Sequence, residues 1–380
     1  MRSSQQLTLV LLAVFAATLA PAVFNYVVDP YQIFHEIDGE MPDLHHDSRR
    51  MTPSLIKHCL ERPDTKFDTV IIGSSMGQNF VPSEVQSMLG SGRVLKLNMP
   101  GTLPEMDLMV VETVLKSPNV KRVLWELTPH YQALEPTPLE DIETFPRHLY
   151  GDDWSDIART LFSADTTTAS QRTLKQGRSS IAYEDWNKWY REDEWEQRRQ
   201  TELIEKLPEY NARVLEAHPR DEPILDQLPP RLEVLDYPII ERVVELICSR
   251  PDVQFDLFFP PRSTLYYAQK NDDLVRLFQM QPNTVRRLSG LPGAAVHGFD
   301  DVDEVVKDLT NYKDLGHYSP KINNWMAMSI ADRTHLLTIE DVGSYQQRRH
   351  DLLRQVIEEV HAGTLDHQGI REPSAGEPQN

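Results

Sequence analysis

Apolar residues in this chain gather in short runs, and between the runs they recur at helical spacing. Phe67–Ile72, Val94–Leu97, Val123–Leu127, Val253–Phe259 and Ala294–Phe299 are runs of four to seven residues, dominated by Val, Ile, Leu and Phe. Runs of this length and composition read as strands. Pro104–Lys116, Ile239–Ser249, Asp273–Met280, Val302–Leu309, Lys321–Ala331 and Ile339–Val360 place apolar residues three and four apart, which reads as amphipathic helices. Near-continuous apolar strands alternating with helices predict an α/β fold: a three-layer α/β/α sandwich around a central parallel sheet. Ligands of such sheets bind beyond the carboxyl ends of the strands. Gly73, Asn98 and Thr128 each fall just past a predicted strand, so the pattern sets them on one rim.

The alternation is interrupted between residues 135 and 235. That stretch is polar and acidic, predicted to be mostly helical, and holds Trp154, Trp186, Trp189 and Trp195. Two readings are open: a flank that stacks on sugar rings, or an insertion whose tryptophans form its own small core. The predicted organisation is an N-terminal helix over 1–28, a lead-in over 29–64, an α/β domain over 65–134 and 236–362, the insertion over 135–235, and a polar, disordered tail over 363–380.

From Leu7 to Phe24 no residue is charged and only two threonines are polar. Eighteen such residues just span a bilayer. An uncleaved anchor is one reading. A signal peptide cut after Ala20-Pro21-Ala22 is the second, and Pro21 counts against it; a buried core helix is the bland third, disfavoured at the N-terminus of so polar a chain. Either of the first two readings places the remainder outside the cytoplasm, with an inner-membrane anchor and a periplasmic or external domain. A net charge of −19 argues against nucleic acid as a partner and against docking on anionic head groups. Cys59 and Cys248 allow one disulfide in that compartment or two separate buried thiols.

The chemistry concentrates in two places. Val70-Ile71-Ile72-Gly73-Ser74-Ser75-Met76-Gly77-Gln78-Asn79-Phe80 ends an apolar strand at a glycine and sets two serines where a helix is expected to begin. Asp314-Leu315-Gly316-His317 offers a carboxylate and an imidazole three residues apart. A serine hydroxyl needs such a base, held in one tautomer by a carboxylate, before it becomes a nucleophile. Backbone N–H groups near Ser75 and at Gly101 are candidate donors to an oxyanion. The bland alternatives are a serine N-cap, a turn-closing aspartate and a surface histidine. No cofactor or metal is called for: His45 and His46 read as a solvated loop. Asp300, Asp301 and Asp303 admit a cation-binding reading, and read better as acids favouring the start of the next helix.

The order Gly-x-Ser, then Asn98-x-x-Gly101, then Asp314-x-x-His317 resembles the SGNH (GDSL-like) hydrolases, whose fold is flavodoxin-like. The closer likeness is to their membrane-anchored branch, which includes alginate O-acetyltransferase-type and D-alanyl-transfer proteins. The resemblance covers roughly residues 65–130 and 250–335, and neither the insertion nor the tail. It implies Ser75 as nucleophile, His317 as base, Asp314 as its acid and Gly101 in the oxyanion hole. Ser74, the secondary candidate, stands where the family has aspartate. The family's fourth block, Gly-x-Asn after the third strand, is missing, and Leu127-Thr128-Pro129-His130 stands there. Asn79, Asn98, Thr128 and His130 are the candidates for the lost side-chain donor.

The expected function is an extracytoplasmic serine esterase or O-acyltransferase acting on acyl groups of an envelope or exported polysaccharide, with a membrane-bound O-acyltransferase as a candidate acyl donor. The alternatives are a catalytically silent scaffold in an envelope assembly and an esterase of lipids or small esters.

Overall fold

The protein, described by a computed structural model over residues 2–37, 41–62, 64–128, 131, 136–178, 182–186, 188, 192–220, 237–269 and 274–365, divides into two compact units. One gathers 1–66, 116–119 and 137–186; the other holds 67–115, 120–136 and everything from 187 on. The stretch expected as one insertion is thus shared between the two units.

The larger unit is built on five parallel strands: β1 (Phe67–Ile72), β2 (Arg93–Lys96), β3 (Arg122–Glu126), β4 (Gln254–Phe259) and β5 (Ala294–Gly298). Their order across the sheet is β2-β1-β3-β4-β5. Every strand lies where an apolar run predicts it, within two residues. The side chains of Ile71, Leu124 and Phe258 point into one core, shared with Val85 of Pro82–Leu89 and with Ile322, Met326 and Ile330 of Pro320–Ala331. Helices Pro104–Val114 and Pro238–Ser249 pack against each other, and Leu274–Leu288 packs on the second of them and on β5. The fold is therefore α/β with an all-parallel sheet between helical layers, as the alternation predicts. Four of these helices carry proline at their first position, where its fixed φ suits a helix start and its missing N–H costs no bond.

In a 2-1-3-4-5 sheet the strand order reverses between β1 and β3, and the crevice there is the expected ligand position. The segments leaving β1 and β3 are Gly73–Ser75 and Leu127–Thr128, so the topology brings the serines to that crevice.

Some local expectations change. No α-helix begins at the serines: Ser75–Gly77 is one 3₁₀ turn, and the helix starts at Pro82. The stretch expected as a helix over Val302–Leu309 is one α-turn, Asp303–Val306, followed by a 3₁₀ turn at Leu309–Asn311. The reason is local: Asp308 turns its carboxylate to the N–H of Thr310 and closes that chain segment. Cys59 and Cys248 are both thiols, the first buried and the second exposed. The tail beyond residue 365 lies outside the described residues, as do Trp189 and His130.

In the smaller unit, helix Arg2–Val28 packs against Trp154–Phe162 and Ala164–Gln176. The fully buried Asn25 fastens them. Its amide donates to the carbonyl of Leu161 at 2.8 Å and to Thr167 at 2.9 Å, and its oxygen accepts from Ser170 at 2.9 Å. Of the tryptophans here, Trp186 is buried, whereas Trp154 is 86 % exposed and so is not part of a private core. His46 is half-buried against Tyr31 and His45 rather than solvated, and burial followed by the neighbouring His45 pushes its imidazole down to about 4.

Candidate active site

The site begins at the end of β1. Gly73 has φ +150°, and a Cβ on it would stand 2.4 Å from the Cβ of Glu126, so glycine alone lets β1 and β3 leave the sheet this close together. Ser74 follows in extended backbone, and its hydroxyl caps the short turn by accepting the N–H of Met76 at 3.2 Å. Ser75 is the first residue of that turn and half-buried.

The hydroxyl Oγ of Ser75 lies 2.8 Å from Nε2 of His317. Nδ1 of the same ring lies 2.8 Å from Oδ2 of Asp314. With the proton on Nδ1, shared with the carboxylate, Nε2 presents its lone pair to the serine, the arrangement a general base needs. Asp314 is itself fixed: Oδ1 accepts the backbone N–H groups of Gly316 and His317, each at 2.8 Å. Burial works against its charge, but these bonds and the imidazole prevail and hold the carboxyl down at about 2. The aspartate is ionised across the neutral range and can orient the ring and stabilise its protonated form.

Of the two serines, only Ser75 meets the imidazole. The Ser74 hydroxyl is turned away and donates to Glu126 in a short hydrogen bond, and the Ser74 N–H donates to the other oxygen of that carboxylate at 3.0 Å. Glu126 is the last residue of β3 and fully buried. Burial raises its pKa, against the bonds from Ser74 and the charge of Arg262. A second buried charge, Lys96 at the end of β2, donates to the carbonyls of Gln78 (2.8 Å) and Phe80 (3.1 Å). Asn323 donates to the carbonyl of Met76 at 3.0 Å. The turn that carries Ser75 is thus clamped by a carboxylate, an ammonium and an amide.

The candidate oxyanion donors are placed as follows. Asn98 is fully buried, donates to the carbonyl of Ser74 at 3.3 Å and lies so close under Gly77 that a Cβ there would meet its Nδ2 at 2.3 Å. It braces the turn from below. Gly101, exposed with φ +60°, belongs to the turn after β2, which Met99 ties to β1 by donating to the carbonyl of Gly73 at 2.8 Å. Asn79 and Thr128 are buried near the same strand ends, and neither side chain has a hydrogen-bond partner among the described residues. His130 lies outside the described residues. Thr102, next to Gly101, donates to the buried Asp107 at 2.9 Å; Tyr131 donates to the same carboxyl at 3.3 Å and accepts the Trp125 N–H at 2.7 Å.

Glu126, Lys96, Asn323 and Arg262 are site residues that the sequence reading does not single out. A signal existed for two of them: a charged residue closing an otherwise apolar strand, as in Arg122-Val123-Leu124-Trp125-Glu126 and Arg93-Val94-Leu95-Lys96, needs a buried partner. Asp300 and Asp301, read as helix-start acids, instead face the last helix. Asp300 accepts from Arg349, Gln281 and Tyr345, and Asp301 from Arg348.

No protein-family model matches this chain, and no curated protein does either.

Proposed function

We propose that this protein is a serine esterase or O-acyltransferase that works through an ester on Ser75, anchored in the membrane by its N-terminal helix and acting outside the cytoplasm on an acylated envelope or exported polysaccharide. The observation that carries the chemistry is the unbroken chain Asp314 Oδ2 to His317 Nδ1, 2.8 Å, and His317 Nε2 to Ser75 Oγ, 2.8 Å, at the crevice where the strand order reverses. His317 takes the serine proton as Oγ attacks the acyl carbonyl, and Asp314 holds the imidazolium that results. The imidazolium gives its proton to the departing alcohol as the ester on Oγ forms; the imidazole then takes a proton from water in an esterase, or from a sugar hydroxyl in a transferase, as that oxygen attacks the ester, and returns it to Oγ as the acyl–serine bond breaks. The sugar acceptor and a membrane-bound acyl donor are inferred from the resemblance to the SGNH branch described above, and the same resemblance suggests the family.

The anchor reading is supported by the uncharged run Leu7–Phe24 inside helix Arg2–Val28, where Leu11, Phe15 and Val23 are exposed. That reading rests on the sequence run; among the described residues no helix is long and apolar enough to cross a membrane. A fluorophosphonate that reacts with activated serines tests the chemistry. Wild type is expected to label, and Ser75→Ala is expected not to. Labelling that survives the substitution, or its absence from the wild type, would refute the assignment.

A further inference from the structure

One cation at the same rim is held in place and makes no ion pair among the described residues. Arg262 follows β4 by three residues, after Pro260 and Pro261, whose rings stiffen the approach. Its neighbours are tied to the loop that carries Asp314 and His317. The carbonyl of Pro261 accepts the hydroxyl of Tyr312 at 3.1 Å, and Ser263 donates both its N–H (3.1 Å) and its hydroxyl (2.8 Å) to the carbonyl of Leu315. The guanidinium lies over the Tyr266 ring, 4.7 Å from its centroid, and Nη1 comes within 3.1 Å of where a Cβ on Gly316 would stand, so the head group is seated against that residue. Gly316 is the residue before His317, and Glu126, which clamps Ser74, feels the charge of Arg262. The head group therefore lies between the base loop and the nucleophile turn.

Arg262 makes no ion pair among the described residues, its Nε is buried without a hydrogen-bond partner, and the side chain as a whole is half-exposed. A structural arginine in this position would be expected to bond the buried Glu126. It does not, so its fork of donors is not consumed by the fold. In a chain of net charge −19 most of the surface repels anions, which makes a guanidinium with free donors against the loop that carries Asp314 and His317 a selective feature.

We infer that Arg262 binds an anionic oxygen group, a carboxylate or a phosphate, carried by the substrate close to the ester. The planar fork matches either group in two-point hydrogen bonding, and pinning on both sides of the residue spares the cost of ordering it. The inference names the substrate class for the site proposed above and rests on that reading for its position, but binding can be measured without turnover. The probes are acetyl esters of methyl glucuronoside, methyl glucoside 6-phosphate and methyl glucoside, titrated calorimetrically into the full-length Ser75→Ala protein.

One or both of the anionic esters are expected to bind roughly ten- to hundredfold tighter than the neutral one, the weight of one or two charge-assisted hydrogen bonds. The better of the two identifies the group. In Ser75→Ala with Arg262→Gln the advantage is expected to shrink to about twofold or less, and with Arg262→Lys, which keeps the charge and loses the fork, to lie between. Equal binding of all three esters, or an advantage that survives Arg262→Gln, would overturn the inference. Failure of the fluorophosphonate reaction with the anionic preference intact would count against Ser75 and leave Arg262 standing.

Discussion

Two aspartate networks in the larger unit use similar parts toward opposite ends. Asp314 is 38 % exposed, accepts from two backbone N–H groups and from an imidazole, and the network ends on a serine hydroxyl half-open to solvent. Asp300 is fully buried and accepts from Gln281 at 2.9 Å, from Arg349 at 3.0 Å and from Tyr345. Its network ends on a guanidinium 4.3 Å from the Phe278 ring centroid, with two nitrogens that reach no acceptor among the described residues. Burial weakens the charge of Arg349, yet Asp300 raises its pKa overall. In the first network every partner of the carboxylate serves to orient a group that can lose or gain a proton. In the second no member is open to a substrate, and the charges hold the last helix against the strand end. Exposure at the end of the network, rather than the presence of charged pairs, separates a candidate reaction centre from a fastening.

That contrast can be broken most sharply at Asp314. In Asp314→Asn the ring loses the partner that fixes its tautomer, and fluorophosphonate reactivity and any ester turnover are expected to fall by roughly 10³–10⁴-fold, with little change in the urea midpoint. Arg349→Leu is expected to do the reverse. Removing one member of a fully buried pair costs about 3–5 kcal/mol, because Asp300 is left charged and unpaired, while labelling per folded molecule stays as in the wild type. Urea unfolding beside labelling yields both readings, and a variant that loses labelling without losing stability would tie Asp300 to the reaction after all.

Glu126 stands between the two cases, buried like Asp300 yet bonded to the serine turn. Glu126→Gln is expected to lower the labelling rate roughly ten- to hundredfold through misplacement of Ser75, with reagent binding nearly unchanged. Its pH dependence sharpens the comparison. Because burial raises the folded pKa of Glu126 above 4.5, its favourable contribution is present below that value and lost as pH rises through the folded pKa, so the glutamine variant should gain on the wild type as pH is raised. Asp314 has the opposite sign. Its folded value of about 2 lies below the ordinary 3.8, so its contribution is present above 3.8 and fades as pH falls toward 2, a loss that Asp314→Asn should not show. This is the smallest effect of the set, since the carboxylate is partly solvated.

The fold was legible because apolar runs of strand length have few alternatives: Phe67–Ile72 or Val123–Leu127 bury both faces or go unsatisfied. The missed features have the opposite character. The expected helix at Ser75 gives way to a 3₁₀ turn because Glu126, 52 residues on, takes the Ser74 N–H and hydroxyl. Asp300 reads as a helix-start acid until Arg349 arrives from the last helix.

By itself the sequence determined the five strands, the rim on which Gly73, Asn98 and Thr128 lie, and the pair Asp314 and His317, since these follow from hydrophobic period, turn residues and short spacing. The resemblance pointed to Ser75, but only the tertiary structure placed its hydroxyl against the imidazole, 242 residues away, and decided which charged side chains are consumed by the fold. Such choices depend on distances and burial between segments remote in the chain, where a shift of a few ångströms turns a hydrogen bond into an unpaired charge. Glu126, Lys96 and Arg349 were spent on such bonds, and Arg262 makes no ion pair among the described residues.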